Sequence, residues 1–391
     1  MSMYPFTAIV GQEAMKTALI LNAIDPSIGG VLIRGQKGTA KSTAVRALAG
    51  LLPPIQAVEG CPYHCPPDAD DYIHEECRIK SQSGVPFTTI ECQVPLVELP
   101  LGATEDRLAG ALNVERAIHA GETVFEPGLL AAANRGILYV DEVNLLDDHL
   151  VDLLLDTAAS GINRVEREGL SVLHPSRFIL IGTMNPEEGE LRPQFLDRFG
   201  LCIGVAGEQD IKKRSELVRR RLAFERDPNA FCNSWNEAQS VLRRQIVKAR
   251  MNLSSVSIPD EAVDAASELA IKVGSQGHRA EITIIKSATA LAAFQEREAV
   301  TYEDIIEAAT MAMPHRIDRF IEHGGADIPK ELNEGLSAVF GELPFVYNDD
   351  ETDEDGKFPE FGLDEEIFPG SHAGGMPIFV YLKKKHPALS F

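Results

Sequence analysis

Aromatic residues are scarce, at 6% with a single tryptophan, and basic residues are outnumbered, 37 Lys and Arg against 59 Asp and Glu. The resulting net charge of −22 argues against a nucleic-acid surface, which needs clustered Lys and Arg to meet phosphates. It leaves room for a small basic pore. No apolar run approaches the roughly 20 residues of a membrane span. The opening Met1-Ser-Met-Tyr-Pro-Phe6 has no basic region followed by an apolar stretch, so no secretory signal is expected and the chain reads as cytoplasmic. Six cysteines in 391 residues are too few for a disulfide framework, yet three of them crowd into residues 61–77.

What is present is ordinary globular material, 44% hydrophobic and 25% charged, long enough for two or three domains. Over residues 5–205 short β-branched runs alternate with helical patterns, the sign of a parallel α/β layer. Strands are expected at 30–33, 136–140, 178–183 and 201–205. From 208 to 325 the pattern turns helical, with helix starts at Ser257-Ile-Pro-Asp260 and Thr301-Tyr-Glu-Asp304. Beyond about 326 the periodicity fades, and the density of Asp and Glu over 349–366 reads as a solvated tail. The expected division is an α/β domain at 1–207, a helical lid at 208–325 and an acidic, poorly ordered tail at 326–391.

A phosphate loop needs a strand before it and a helix after it, and residues 35–43 have both. Gly35, Gln36, Lys37, Gly38, Thr39 and Ala40 would wrap their backbone around the phosphates of ATP, with Lys41, Ser42 and Thr43 opening the helix. Lys41 would reach the β- and γ-phosphates and Ser42 would hold Mg²⁺. Ala40 stands where such loops usually carry glycine, and its methyl is accommodated if φ there is negative. The strand before Asp141 and Glu142 supplies two carboxylates. Asp141 would join the Mg²⁺ shell and Glu142 would polarise the attacking water, although an acidic pair after a strand also starts helices. Asn185 can hold the lytic water or simply form the turn before Pro186. Arg198 and Arg279 are candidate γ-phosphate cations, or surface ion pairs with Asp197 and Glu281 as available partners.

Cys61, Cys65, His74 and Cys77 are spaced Cys-x₃-Cys-x₈-His-x₂-Cys in an insert at about 55–95. Soft ligands this close can close a structural zinc site or hold an iron–sulfur cluster, with His64 and Cys92 as spares. Reduced, unligated thiols on a Pro-rich loop are the plain alternative.

Taken in order, these motifs resemble the AAA+ ATPases of the helix-2-insert clade, and their wording resembles the I-subunit family of magnesium chelatase. The stretches that carry the resemblance are 4–12, 101–107, 125–130, 134–148, 182–193 and 196–200, and it runs from about 4 to about 320. It implies a P-loop core with a helical lid, Asn185 as sensor 1, Arg198 as an arginine finger reaching into a neighbouring subunit's ATP, and Arg279 as sensor 2. It also implies the helix-2 insert near 113–125 and a hairpin over 160–177. Minichromosome-maintenance helicases resemble this chain in placing alanine before the loop lysine. The implied activity is ATP hydrolysis in a homo-oligomeric ring, a hexamer. The ring would work with a second AAA+ subunit that carries an integrin-like domain and with a large porphyrin-binding subunit that inserts Mg²⁺ into protoporphyrin IX for chlorophyll or bacteriochlorophyll. A motor for cobalt or another tetrapyrrole metal, and a chaperone-like ATPase, remain alternatives, because a phosphate loop reports only nucleotide chemistry.

Overall fold

Along the chain of the computed structural model the strands are β1 (Val31–Gly35), β2 (Ile55–Val58), β3 (Thr89–Cys92), β4 (Leu96–Leu99), β5 (Gly110–Leu112), β6 (Phe125–Pro127), β7 (Ile137–Val140), β8 (Ile162–Arg167), β9 (Leu170–Pro175), β10 (Ile179–Met184) and β11 (Leu201–Val205). The structure describes residues 3–68, 73–84, 86–112, 125–167, 170–317 and 329–341. Five strands form a parallel sheet in the order β11-β1-β10-β7-β4. Both faces of its central strands are covered, which is why β7 and most of β1 and β10 read as nearly continuous apolar runs. Successive side chains still serve different cores. Val31, Ile33, Ile137, Tyr139, Ile179 and Ile181 join one cluster, while Leu32, Leu138, Val140 and Leu180 join the other. The first cluster is continuous with the lid through Ile246, Leu269, Ile284 and Ile305. The second is closed by Leu150, Val151, Leu154 and Leu155 of the helix Asp148–Ser160.

The four expected strands are present. The fifth, edge strand β4, was not anticipated. Its Leu-Val-Glu-Leu run is short, lies between Pro95 and Pro100, and carries Glu98, which pairs outward with Arg46 at 2.8 Å. The insert is also more ordered than a loop: β2 and β3 pair antiparallel from Ile55↔Cys92 to Val58↔Thr89, and a helix spans Glu75–Gln82. Over 160–177, β8 and β9 form the antiparallel hairpin that the resemblance implied. Most of the segment that it assigned to the helix-2 insert, 113–124, lies outside the described residues.

The lid contains the helices Ile211–Arg226, Pro228–Asn252, Asp260–Val273, Arg279–Phe294 and Tyr302–Ala312. The last starts as its sequence predicts, with a capping box between Thr301 and Asp304. The expected boundary at 326 needs correction. A further helix, Lys330–Phe340, packs Leu332 and Leu336 into the same core as the lid, and Gly335 lies against Leu269 and Val273. The apolar spacing at 332, 336, 339 and 340 was there to be read, but the acidic composition just beyond it obscured the pattern. The rest of the expected tail lies outside the described residues.

Candidate nucleotide site

Three neighbouring strands deliver the candidate residues at their carboxyl ends, where ligands of open α/β sheets bind. β1 runs into the loop at 35–40, β10 ends in Thr183 and Asn185, and β7 ends in Asp141 and Glu142. β10 lies between the other two, so the loop and the acidic pair sit two strand spacings apart, about 10 Å. That gap admits phosphate groups and a bound cation.

The loop is shaped by close approach and by backbone hand. A methyl on Gly35 would run into the Val205 carbonyl oxygen of β11. Gly38 has φ +85° with open space around it, so it is the dihedral that calls for glycine there. Ala40 corrects the sequence-based expectation: its φ is +62°, in the left-handed region, not the negative range that would make its methyl harmless. An L-residue other than glycine held there costs about 1 kcal/mol. Ala40→Gly should therefore stabilise the chain by about 1 kcal/mol in urea unfolding, with ATP turnover kept. Unchanged or lower stability would mean that the loop relaxes around Ala40 without strain.

Lys41 begins the helix Lys41–Leu51 and folds back over the loop, donating to the carbonyls of Gly35 and, at 2.9 Å, Gln36. Burial pulls its ammonium below the ordinary lysine range, and the charges of Asp141, Glu142 and Glu188 oppose that shift. Ser42 and Thr43 follow on the first turn, half-buried. Thr39 Oγ1 donates to the Gln36 carbonyl at 2.9 Å and tightens the turn.

Asp141 does not stand alone. Its Oδ1 accepts hydrogen bonds from Tyr139 at 2.8 Å and from Thr183 at 2.6 Å. The Thr183 hydroxyl also accepts from the Glu142 amide at 3.1 Å, so one threonine on β10 fixes both members of the acidic pair on β7. Glu142 has φ +55° and lies 3.5 Å from Lys37. Lys37 is 66% exposed and pairs more closely with Glu188, at 2.6 Å. That contact raises the Lys37 pKa and lowers the Glu188 pKa. Asn185 is buried, and its side chain accepts from the Glu187 amide at 3.4 Å. It thus caps the 3₁₀ turn Pro186–Glu188 while standing at the β10 strand end.

Of the two arginines, Arg279 pairs with a residue weighed for it and Arg198 does not. Arg198 pairs not with Asp197 but with Asp152, at 2.8 Å, and Asp156, both on the helix Asp148–Ser160. Neither partner belongs to the acidic pair at the end of β7. Arg279, the first residue of its lid helix, reaches Asp197 at 2.6 Å, one of the two partners weighed for it. Asp197 is shared with Arg316, whose Nε lies 3.3 Å from Oδ1. The Arg316 side chain is 3% exposed and also donates to the carbonyls of Asp197, Phe199 and Gly200, while His315 Nε2 lies 2.9 Å from the Phe199 carbonyl. The lid therefore grips the segment that carries Arg198. Sequence reasoning missed Thr183, Tyr139, Glu188 and Arg316. Only strand register and burial reveal them.

Ser42 and Asp141 would supply a hydroxyl and a carboxylate, the hard oxygen donors that suit Mg²⁺, with Tyr139 and Thr183 holding the carboxylate in place. Cys61, Cys65, His74 and Cys77 converge as well, in a separate cluster: no two of their ligand atoms are more than 4.8 Å apart. His64 and Cys92 lie outside it.

Comparison with known proteins agrees with this geometry. Residues 112–194 match the family model described as magnesium chelatase, subunit ChlI, and residues 263–333 match the AAA lid domain. The chain is 56% identical over 316 residues to the magnesium-chelatase subunit ChlI homolog of Methanocaldococcus jannaschii, covering 81% of this chain and 86% of that one. It is 53% identical to the magnesium-chelatase 38 kDa subunit of Cereibacter sphaeroides over 81% of this chain and 92% of the other. The chain belongs to the magnesium-chelatase I-subunit family. Within that family it is the ATP-hydrolysing type of chelatase subunit, on the α/β AAA+ fold with a helical lid. A structure of the complex between the BchI and BchD subunits of magnesium chelatase, based on a cryo-EM reconstruction, aligns with a TM-score of 0.50 at 48% identity, covering 86% of this chain and 100% of that one. A crystal structure of a Cytophaga hutchinsonii protein, 19% identical with a TM-score of 0.53 over 79% of this chain and 83% of that one, shares the fold alone. Among the described residues no helix is long and apolar enough to cross a membrane.

Proposed function

We propose that this chain is the motor subunit of a magnesium chelatase, coupling hydrolysis of Mg-ATP to insertion of Mg²⁺ into protoporphyrin IX by a separate porphyrin-binding subunit. The observation that carries the reading is the meeting of Lys41, Asp141, Thr183 and Asn185 at three adjacent strand ends, in a chain 53% identical to a 38 kDa chelatase subunit over 92% of its length. The loop amides and Lys41 bind the phosphates. Ser42 and Asp141 would hold Mg²⁺, which would offset negative charge on the phosphates. Glu142 accepts a proton from the attacking water, and Asn185 orients that water. Arg279 reports the γ-phosphate from the lid by leaving Asp197.

Arg198 is the finger of a ring, serving the neighbour's nucleotide. Two observations support this: its ion pairs lie on the Asp148–Ser160 helix and not with Asp141 or Glu142 of its own site, and Ile211, Val218 and Leu222 leave an apolar face exposed on the first lid helix. A closed homo-oligomer, a hexamer, places each finger beside the next loop. The partners are a second AAA+ subunit with an integrin-like domain, the counterpart of BchD in the related complex, and a large porphyrin-binding subunit. The reading places the chain in the cytoplasm, where thiols stay reduced, in keeping with six cysteines that form no disulfide.

The deciding experiment is porphyrin metallation with both partner subunits, run with Mg²⁺ and Co²⁺ in parallel. ATP-dependent formation of Mg-protoporphyrin that requires this chain is the expected result. Insertion of Co²⁺ alone, or no metallation beside normal ATP turnover, would overturn the magnesium assignment.

A further inference from the structure

The insert that carries β2, β3 and the helix Glu75–Gln82 has very little core of its own. Its buried apolar cluster is Val58, Tyr63, Cys65, Cys77 and Ala131, and the last of these belongs to the α/β body. A unit this thin needs a staple to hold one conformation. At its centre are three thiols and one imidazole. Cys65 is 0%, Cys77 3% and His74 8% exposed.

Their spacing is that of a single coordination sphere. One zinc ion with Zn–S near 2.3 Å and Zn–N near 2.0–2.1 Å, at tetrahedral angles, puts sulfurs about 3.8 Å apart and sulfur about 3.6 Å from nitrogen. Cys61 Sγ and Cys77 Sγ are 3.8 Å apart. His74 Nδ1 lies 3.5 Å from Cys61 Sγ and 3.2 Å from Cys65 Sγ. An iron–sulfur cluster interposes several metals and sulfides between its ligands and holds them further apart, so edges this short favour one ion.

The backbone is arranged for the same end. The Val58 amide donates to the Cys65 carbonyl at 2.9 Å and the His64 amide to the Cys61 carbonyl at 3.2 Å, with His64 at φ +48°, which closes a tight knuckle around the first two cysteines. The His74 amide donates to Cys65 Sγ at 3.3 Å. His74 and Cys77 come from the start of the following helix, so ligands from two elements meet. With Nδ1 turned to the sulfurs, Nε2 faces outward, 3.8 Å from the exposed carboxylate of Glu76.

We propose that Cys61, Cys65, His74 and Cys77 form a structural zinc site that fastens the insert to the base of β7. The fastening is visible. Asn134 donates to the Tyr63 carbonyl at 2.6 Å and Arg135 to the His64 carbonyl at 2.9 Å, just before β7 begins. The Tyr63 ring packs on His74, with centroids 4.5 Å apart, and on His174 of the β8–β9 hairpin at 4.8 Å. The zinc thus braces the amino end of the strand whose carboxyl end carries Asp141. It also braces the hairpin, and it makes no contact with the phosphate loop.

The test is metal analysis of the full chain purified from cells grown with ample zinc and iron. About one zinc per chain is expected, with no visible absorption. Replacing it with Co²⁺ should give the strong visible bands of tetrahedral thiolate cobalt. Cys65→Ser should lose the metal, whereas Cys92→Ser and Cys232→Ser should keep it. Chelation should speed amide exchange over 58–68, 73–77 and 134–136 while leaving 35–43 unchanged. Three results would overturn the proposal: a metal-free chain that takes up no zinc after reduction, a Cys61–Cys77 disulfide, or stoichiometric iron with a coloured charge-transfer band. The wild-type metal count decides the matter even if Cys65→Ser fails to fold.

Discussion

Lys41→Ala should reduce ATP turnover below about 1% of the unmodified chain, because the developing charge on the transferred phosphoryl group loses its nearest fixed cation. The structure sharpens this expectation by offering a second lysine in the same loop. Lys37 is 66% exposed and held by Glu188 and Glu142, so its ammonium faces solvent and its neighbouring acids. Lys41 is half-buried at a helix start and already bonded to the loop carbonyls of Gly35 and Gln36. An exposed ion pair contributes little, about 1 kcal/mol at most, so Lys37→Ala should change turnover no more than a few-fold. Steady-state ATPase assays on both variants, with folding checked by circular dichroism, separate the two roles. Equal losses in the two, or near-normal turnover in Lys41→Ala, would show that the loop does not use Lys41 as its phosphate cation.

The parts of this site that could be read from the sequence are those where residue type and context coincide. A strand of Val, Leu and Ile that runs into a glycine-rich turn and then a lysine can hardly be placed elsewhere. The same holds for the buried run Ile137–Val140 before two carboxylates. What the sequence hides is geometry that depends on partners distant in the chain. Thr183 bonds both Asp141 and Glu142 only because β10 pairs beside β7 with Gly182 opposite Val140. Ala40 gives no hint of a positive φ, since residue type constrains the dihedral only statistically. Arg198 and Arg316 look alike as isolated basic residues, yet one is salted to an outer helix and the other is buried under the lid. Composition misled at the other end of the chain. The acidic stretch from 349 made its surroundings look solvated, while Lys330–Phe340 buries its apolar face on the lid.

Arg198→Ala should lower ATP turnover by about 10³-fold or more while leaving nucleotide binding and the fold intact, if the residue completes a neighbour's site. The alternative is that Arg198 serves only its pairs with Asp152 and Asp156. In that case its loss costs up to about 1 kcal/mol of stability and turnover is unchanged. Mixing subunits distinguishes the two without relying on a loss. An Arg198→Ala chain keeps an intact loop, and a Lys41→Ala chain keeps an intact finger. In an equal, freely exchanging mixture, about one interface in four joins the intact loop to the intact finger, so activity should reappear up to roughly a quarter of the unmodified level. Neither variant alone should show it. Turnover per chain in the unmodified protein should also rise with concentration as rings assemble, because half a site hydrolyses nothing. A mixture proven to exchange subunits that stays inactive would count against a shared site. Full activity from a chain shown to be monomeric would end the proposal, and would leave Arg198 as the surface ion pair that its own chain displays.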